Sequence, residues 1–331
     1  MRKNSLSVIV PVHNVEQYIE CCLTSLSAIE GIDVNFILAE NASSDSSYEI
    51  CKKFAEKDSR FVLMHLDEPG VSNARNKALG VCDSEYVAFV DADDWIDADA
   101  FVSAFTSFTG FNCDMGITSY VKVENGVSQE QMLDYGESRL LSPEEKMTLL
   151  QTRVAPSIRF MGSVWRNFYS RKLISSLSFD VSLPFQEDFL FNLFALGSAS
   201  SVAIINKSFY YYRVNNNSAS FKRNVNTVEF RIMARNRMAE WAKDNGVDLS
   251  FALIRRNCPI LARQFANAAR ENPRVTKRIK ELWKIHREIP HQEIRQWKPG
   301  FFGGSFLPYV LLRRFGLDFL GFVFLCVRFL F

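Results

Sequence analysis

The N-terminal third of this 331-residue chain alternates short apolar runs with stretches whose apolar residues return every three or four positions. Leu6 to Val12 is apolar and rich in β-branched residues, which predicts a buried strand. Asn14 can cap a helix, with Gln17 three residues on, and Val15, Tyr18, Ile19, Cys22, Leu23 and Leu26 follow at helical spacing. Val34 to Leu38 predicts a second strand. Asp45 or Ser46 then caps a helix carrying Tyr48, Cys51, Phe54 and Ala55. Phe61 to Leu66 predicts a third strand, Ser72 to Gly80 a short helix, and Tyr86 to Val90 a fourth strand. This alternation predicts an α/β fold with a doubly wound, mainly parallel sheet and right-handed crossovers. Ligands of such sheets gather beyond the carboxyl ends of the strands. Three segments meet that edge: His13-Asn14, Glu40 to Asp45, and Asp91 to Asp94.

Further along, residues 115–123 predict another strand, with Asn125-Gly126 as a turn signal. Ser142-Pro143-Glu144-Glu145 opens a helix. Gln186 to Leu196 has helical spacing, and Ser201 to Ile205 and Phe209 to Arg213 read as two strands. Residues 225–290 are helical in pattern and basic, and no repeat or low-complexity tract is present.

Charge divides the chain. Its net charge is only +2, yet residues 1–220 hold 18 Lys/Arg against 28 Asp/Glu, and residues 221–331 hold 21 against 9. An acidic front and a basic back imply modules with different partners. A basic module suits nucleic acid, anionic lipid or a phosphorylated acceptor, and charge does not choose among them. Seven Cys without a C-x-x-C pair suit reduced thiols in the cytoplasm. Met1-Arg2-Lys3 has the charge of a leader, but the apolar run behind it is short and meets Pro11, so a strand is expected there. Ser305 to Phe331 is dense in Phe, Leu and Val, but Arg313, Arg314, Asp318 and Arg328 interrupt it. Those charges argue against a spanning helix and for a peripheral, interfacial segment. The alternative is docking on the chain's own N-terminal domain or on a second subunit of a homodimer.

The densest chemistry is Asp91-Ala92-Asp93-Asp94, directly after the apolar run Tyr86 to Val90. Three carboxylates at the end of a buried strand repel one another, and a cation relieves the repulsion. Hard oxygen ligands there suit Mg²⁺ or Mn²⁺, which in turn suits a diphosphate. A plain acidic turn capping the next helix is the competing reading. An EF-hand fails, because Ile96 and Val102 stand where Gly and Glu are required.

Four motifs in order then carry a resemblance: Ser7-Val8-Ile9-Val10-Pro11-Val12-His13-Asn14; Glu40-Asn41-Ala42-Ser43-Ser44-Asp45; Gly70-Val71-Ser72-Asn73-Ala74-Arg75-Asn76; and Asp91-Ala92-Asp93-Asp94-Trp95. Residues 5–100 resemble the nucleotide-binding half of a GT-A-fold, family 2 glycosyltransferase. The likeness continues more weakly through Gln186-Glu187-Asp188-Phe189 and Tyr212-Arg213. It implies a Rossmann-like GT-A catalytic domain over residues 1–222, with a nucleotide-binding half (1–100) and an acceptor half (101–222). A basic helical region (223–298) and a hydrophobic amphipathic segment (299–331) follow.

The implied activity is inverting, metal-dependent transfer from a UDP-sugar to a hydroxyl of a glycan or lipid-linked glycan, in surface polysaccharide synthesis. The implied place is the inner face of the cell membrane, with no nucleic-acid partner. Pro11, Val12, Asn14, Glu40, Asn41, Arg75, Asp91, Ala92 and Arg213 are the implied nucleotide-sugar contacts. Glu40 would read the uracil N3–H. Arg75 would pair with the diphosphate or, alternatively, bridge Asp91 or Asp67. Asp93 is the foremost metal ligand, beside Asp91 and Asp94. Asp188 is the implied base, with Glu187 as an acceptor or sugar contact, and simple helix capping is the alternative for both. Arg213 would steady charge on the leaving group. Asn41-Ala42 replaces the family's commoner Asp-Gly, and Glu68-Pro69 replaces Asn-Gly. These departures motivate a second reading, a non-catalytic scaffold in a glycan assembly complex. A sugar-phosphate nucleotidyltransferase is weaker, because Pro11 to Asn14 stands where its Gly-rich loop belongs. His286 and His291 read as surface residues.

Overall fold

A computed structural model of the chain describes residues 4–133, 136–152, 162–214 and 227–249. Most of the basic region, the segment 305–331, His286 and His291 lie outside the described residues. The chain divides into two compact units, Met1–Arg237 and Met238–Phe331. The first begins β1 (Leu6–Val12), α1 (Ile19–Ser27), β2 (Val34–Asn41), α2 (Ser47–Lys57), β3 (Phe61–Leu66), α3 (Val71–Val81), β4 (Tyr86–Phe89). It continues β5 (Trp95–Ile96), α4 (Ala98–Gly110), β6 (Met115–Glu124), β7 (Val127–Gln131), β8 (Arg139–Leu140), α5 (Pro143–Thr152). It closes with β9 (Asn167–Ser170), α6 (Arg171–Ile174), α7 (Glu187–Ser198) and β10 (Val202–Arg213), before α8 (Thr227–Asp244).

The strands form one sheet in the order β3-β2-β1-β4-β9-β6-β10-β5, with β7 on β6 and β8 on β10. The first four are parallel, as the strand–helix alternation predicts. The second half is mixed. β9 runs antiparallel to both β4 and β6, while β6 and β10 are parallel. The two strands expected at 201–205 and 209–213 are one strand, β10, with register shifts around Ser208. β2 runs to Asn41, three residues past its expected end, so Glu40 and Asn41 are strand residues rather than loop residues.

Helix α1 begins at Ile19, not after Asn14. Asn14 is instead left-handed, with φ 51°, and its side-chain carbonyl accepts from Ser44 N–H at 2.8 Å. Asp97 does cap α4, accepting from Ala100 N–H at 2.9 Å.

The core follows from the pattern. Val8, Val10 and Val12 of β1, Phe36 and Leu38 of β2, and Leu23 and Leu26 of α1 are buried together with Phe101, Phe105, Phe108 and Phe168. Each such side chain contributes about 1.5–3 kcal/mol on burial. Gly116 of β6 lets the Phe108 ring close on the sheet, since a Cβ there would meet Phe108 Cδ2 at 2.6 Å.

Candidate active site

The acidic turn lies between β4 and β5, and β10 fixes it from the side. The buried Tyr210 hydroxyl donates to Asp94 Oδ2 at 2.7 Å and accepts from Asp91 N–H at 3.1 Å. Arg213 N–H donates to Asp94 Oδ1 at 2.7 Å, and Arg213 Nε donates to the Asp93 carbonyl at 3.0 Å. Asp94 is therefore only 1% exposed, with both oxygens engaged by the protein. Burial, then Asp93 and Asp91, pushes its pKa well above the usual carboxylate range. The bonds to Asp94 pin the turn to β10. Asp93 is pushed up to about 6, first by burial and then by Asp91. Ala92 is buried between the acids.

Arg75 is the hub of the site. It lies on α3 and is 3% exposed. One guanidinium nitrogen donates to Asp188 Oδ1 at 2.5 Å and to Glu187 Oε1 at 3.3 Å; the other donates to Asp91 Oδ1 at 2.9 Å. Burial works against its charge, but Asp188, Asp91 and Glu187 outweigh burial and push its pKa up. The bridge to Asp91, one of the two expectations for Arg75, is present. Three carboxylates engage its two terminal nitrogens, while Nε is buried with no hydrogen-bond partner. The adjacent Asn76 clamps residue 179 from both sides, donating to the Phe179 carbonyl and accepting Phe179 N–H, each at 2.8 Å. The Phe179 ring lies 5.2 Å beneath the Arg75 guanidinium. Arg75-Asn76 thus draws the segment leading to α7 against the nucleotide-binding half.

Glu187 and Asp188 are the first two residues of α7, following Gln186 at φ 76°. Burial pushes Asp188 well above the usual range, and the Arg75 guanidinium pulls against it. These acids lie in the first turn of the helix, whose N-cap Gln186 makes no side-chain capping bond, and they meet Asp91 through one guanidinium.

At the far edge of the parallel strands the expected base-reading residues have other partners. Glu40 is fully buried. Its Oε1 accepts Ser43 N–H at 2.7 Å, and its Oε2 lies 2.5 Å from His65 Nδ1. Asn41 donates to the Val12 carbonyl at 2.9 Å and accepts Gly70 N–H at 2.8 Å. That strut needs a donor and an acceptor on one side chain, which explains Asn where an Asp is commoner. Glu40 and Asn41 thus tie the ends of the first strands to the loops beside them. Pro11 and Val12 are buried in β1, while His13 and Asn14 are exposed at its end. Arg213 lies between Tyr18 and Trp95, 5.1 and 4.6 Å from their ring centroids. Sequence reasoning passed over His65, Tyr210 and Asn76. His65 had one visible signal, its position at the carboxyl end of the third strand.

Residues 7–169 match the family described as Glycosyl transferase family 2. Those residues are a domain of that family. It is 32% identical over 215 residues to the uncharacterized glycosyltransferase EpsJ of Bacillus subtilis, covering 64% of this chain and 62% of EpsJ. It is 29% identical over 221 residues to the glycosyltransferase GlyA of Streptococcus pneumoniae, covering 66% of this chain and 32% of GlyA. The chain therefore spans less than two thirds of these relatives' length. The crystal structure of S. aureus TarS 1-349 in complex with UDP-GlcNAc superposes with a TM-score of 0.71 at 20% identity, covering 97% of this chain and 90% of that one. At that identity the likeness establishes the shared GT-A fold. Among the described residues no group of three His, Cys, Asp or Glu side chains is arranged to hold a metal ion, and no helix is long and apolar enough to cross a membrane.

Proposed function

We propose that this chain transfers a sugar from a UDP-sugar, with inversion, to a hydroxyl of a glycan or lipid-linked glycan acceptor. The observation that carries the reading is the shared guanidinium. Arg75 ties Asp188, the candidate base, to Asp91 of the acidic turn. One acid for the acceptor and a group of acids for the leaving diphosphate thus face one another across a single buried cation.

The residues fit a divalent ion. Asp93 and Asp91 are hard oxygen donors, and the raised pKa of Asp93 marks repulsion and desolvation that a cation removes. A metal held by one or two carboxylates, with phosphates and water completing its shell, needs no preformed three-ligand group. Asp93, with Asp91, would hold Mn²⁺ or Mg²⁺, which when bound supplies charge neutralisation for the departing diphosphate. Arg213, held at the same turn, adds positive charge beside it. Asp188 takes the proton from the acceptor hydroxyl as that oxygen attacks the anomeric carbon opposite UDP. Burial strengthens it as a base, and such proton removal contributes roughly 10²–10⁴-fold. Glu187 completes the acidic wall and contacts the acceptor or the donor sugar. A role in surface polysaccharide synthesis at the inner face of the cell membrane, with residues 305–331 as the peripheral contact, extends this reading. It rests on relatives and on composition.

A thermal-shift panel of nucleotide sugars tests the reading. The expected result is stabilisation by at least one UDP-sugar that grows with Mn²⁺ or Mg²⁺. No shift with any nucleotide sugar, with or without metal, would contradict it.

A further inference from the structure

Strand β3 ends the sheet, and among the described residues no strand lies beyond it. The Phe36 N–H donates to the Arg60 carbonyl at 2.8 Å, so even-numbered residues of β3 turn their backbone groups to β2 and odd-numbered ones turn theirs outward. Phe61 N–H folds back to the Asp58 carbonyl at 3.0 Å. Leu63 and His65 present their N–H and C=O groups along the open edge. Natural edge strands guard such a row with a charge, a proline or a bulge. Phe61-Val62-Leu63-Met64-His65-Leu66 holds no Asp, Glu, Lys, Arg or Pro, and its register against β2 runs unbroken. Apolar surface is open beside it. Val62 is 47% exposed, and Val81, at the end of α3 across the same groove, is 54% exposed.

We propose that β3 pairs antiparallel with β3 of a second copy of this chain, about a two-fold axis that passes through Met64 normal to the sheet. Such an axis keeps each face of the sheet continuous, so facing residues are both even or both odd. Centred on Met64, the register sets Val62 against Leu66 of the second copy and Met64 against Met64 of the second copy, an apolar row on one face. Leu63 faces His65 of the second copy on either side of the axis, and each such pair exchanges both of its N–H···O=C bonds. Arg60, just before the strand and partly exposed, faces exposed Glu68 of the second copy, just after it. The neighbouring register, centred on Leu63, sets Arg60 against Leu66 and needs the Phe61 N–H that the Asp58 carbonyl already holds. Charge, apolar contact and backbone bonding thus select one register. The strand itself supplies every partner it lacks, which identifies the occupant as a second copy. The pairing goes beyond the transfer reading and does not rest on it.

Sedimentation velocity and oxidative cross-linking of the full chain test the pairing. Wild type is expected to sediment as a dimer of two 37.9 kDa chains that dissociates on dilution. Met64→Lys sets two ammonium groups face to face on the axis and should raise the dissociation constant at least about ten-fold, whereas Met64→Leu should leave it unchanged. In the single chain the lysine is tolerated, because an edge position lets its ammonium reach water. A facing pair that shares no backbone bonds has its Cα atoms about 4.5 Å apart, within the span of a disulfide. Met64→Cys oxidised with diamide should therefore link two chains, while Val62→Cys, displaced from the axis, should link no more than wild type does through its native thiols. A monomeric wild type, a Met64→Lys protein that dimerises as tightly as wild type, or a Met64→Cys protein that links no more than Val62→Cys overturns the proposal.

Discussion

Arg75 and Asp188, 113 residues apart in sequence, meet in a buried ion pair of 2.5 Å. The same guanidinium holds Asp91 and Glu187, so one cation balances three carboxylates. The surplus of negative charge suits a site that takes up a divalent ion. It also makes the arginine indispensable to the local fold.

Removing that arginine should be severe. Arg75→Ala leaves three desolvated acids facing one another, and breaking a buried pair costs about 3–5 kcal/mol. Arg75→Lys keeps the charge but loses the fork that reaches two acids at once, and should recover only part of the stability. The midpoint of urea unfolding measures both. An Arg75→Ala protein as stable as wild type would show that the ion cluster adds nothing to the fold.

Asp93 predicts a pH dependence with a definite sign. Its carboxyl is pushed up to about 6, while an unfolded Asp titrates near ~3.9. Between those values the folded chain keeps a proton that the unfolded chain has released, so stability falls as pH rises through the window. Above it the whole cost, about 3 kcal/mol, is present. Asp93→Asn removes it. The metal-free variant should be more stable than wild type at pH 7.5 and equal to it near pH 4. Coincident denaturation curves at pH 7.5 would contradict this.

Ala42 has φ 55°, a left-handed conformation that glycine adopts freely and alanine does not. The turn is needed because the next residue, Ser43, gives its N–H to buried Glu40. Relief of about 1–2 kcal/mol of backbone strain outweighs the entropy that a new glycine adds to the unfolded chain. Ala42→Gly should therefore raise stability by about 0.5–1 kcal/mol, read as a higher melting temperature.

The parallel half of the sheet was legible because each strand is a short apolar run and each helix carries a 3.6-residue stripe. β9 was not. Asn167-Phe168-Tyr169-Ser170 is four residues long and polar at both ends, and only pairing with β4 and β6 makes it a strand. The acidic turn announced itself through three carboxylates in four positions. Side-chain partnerships were hidden, because contacts across the chain leave no periodicity. Nothing near Arg75 points to residue 188, and nothing near Glu40 shows that Ser43 and His65 close over it. Asn14 looked like a cap by spacing, yet its left-handed backbone turns it to Ser44.

UDP release from a UDP-sugar, measured beside UDP affinity for wild type and Asp188→Asn, tests the central claim most directly. The account predicts that the variant binds UDP about as well as wild type and turns over at least ~10²-fold more slowly. Equal turnover by the two proteins would contradict it.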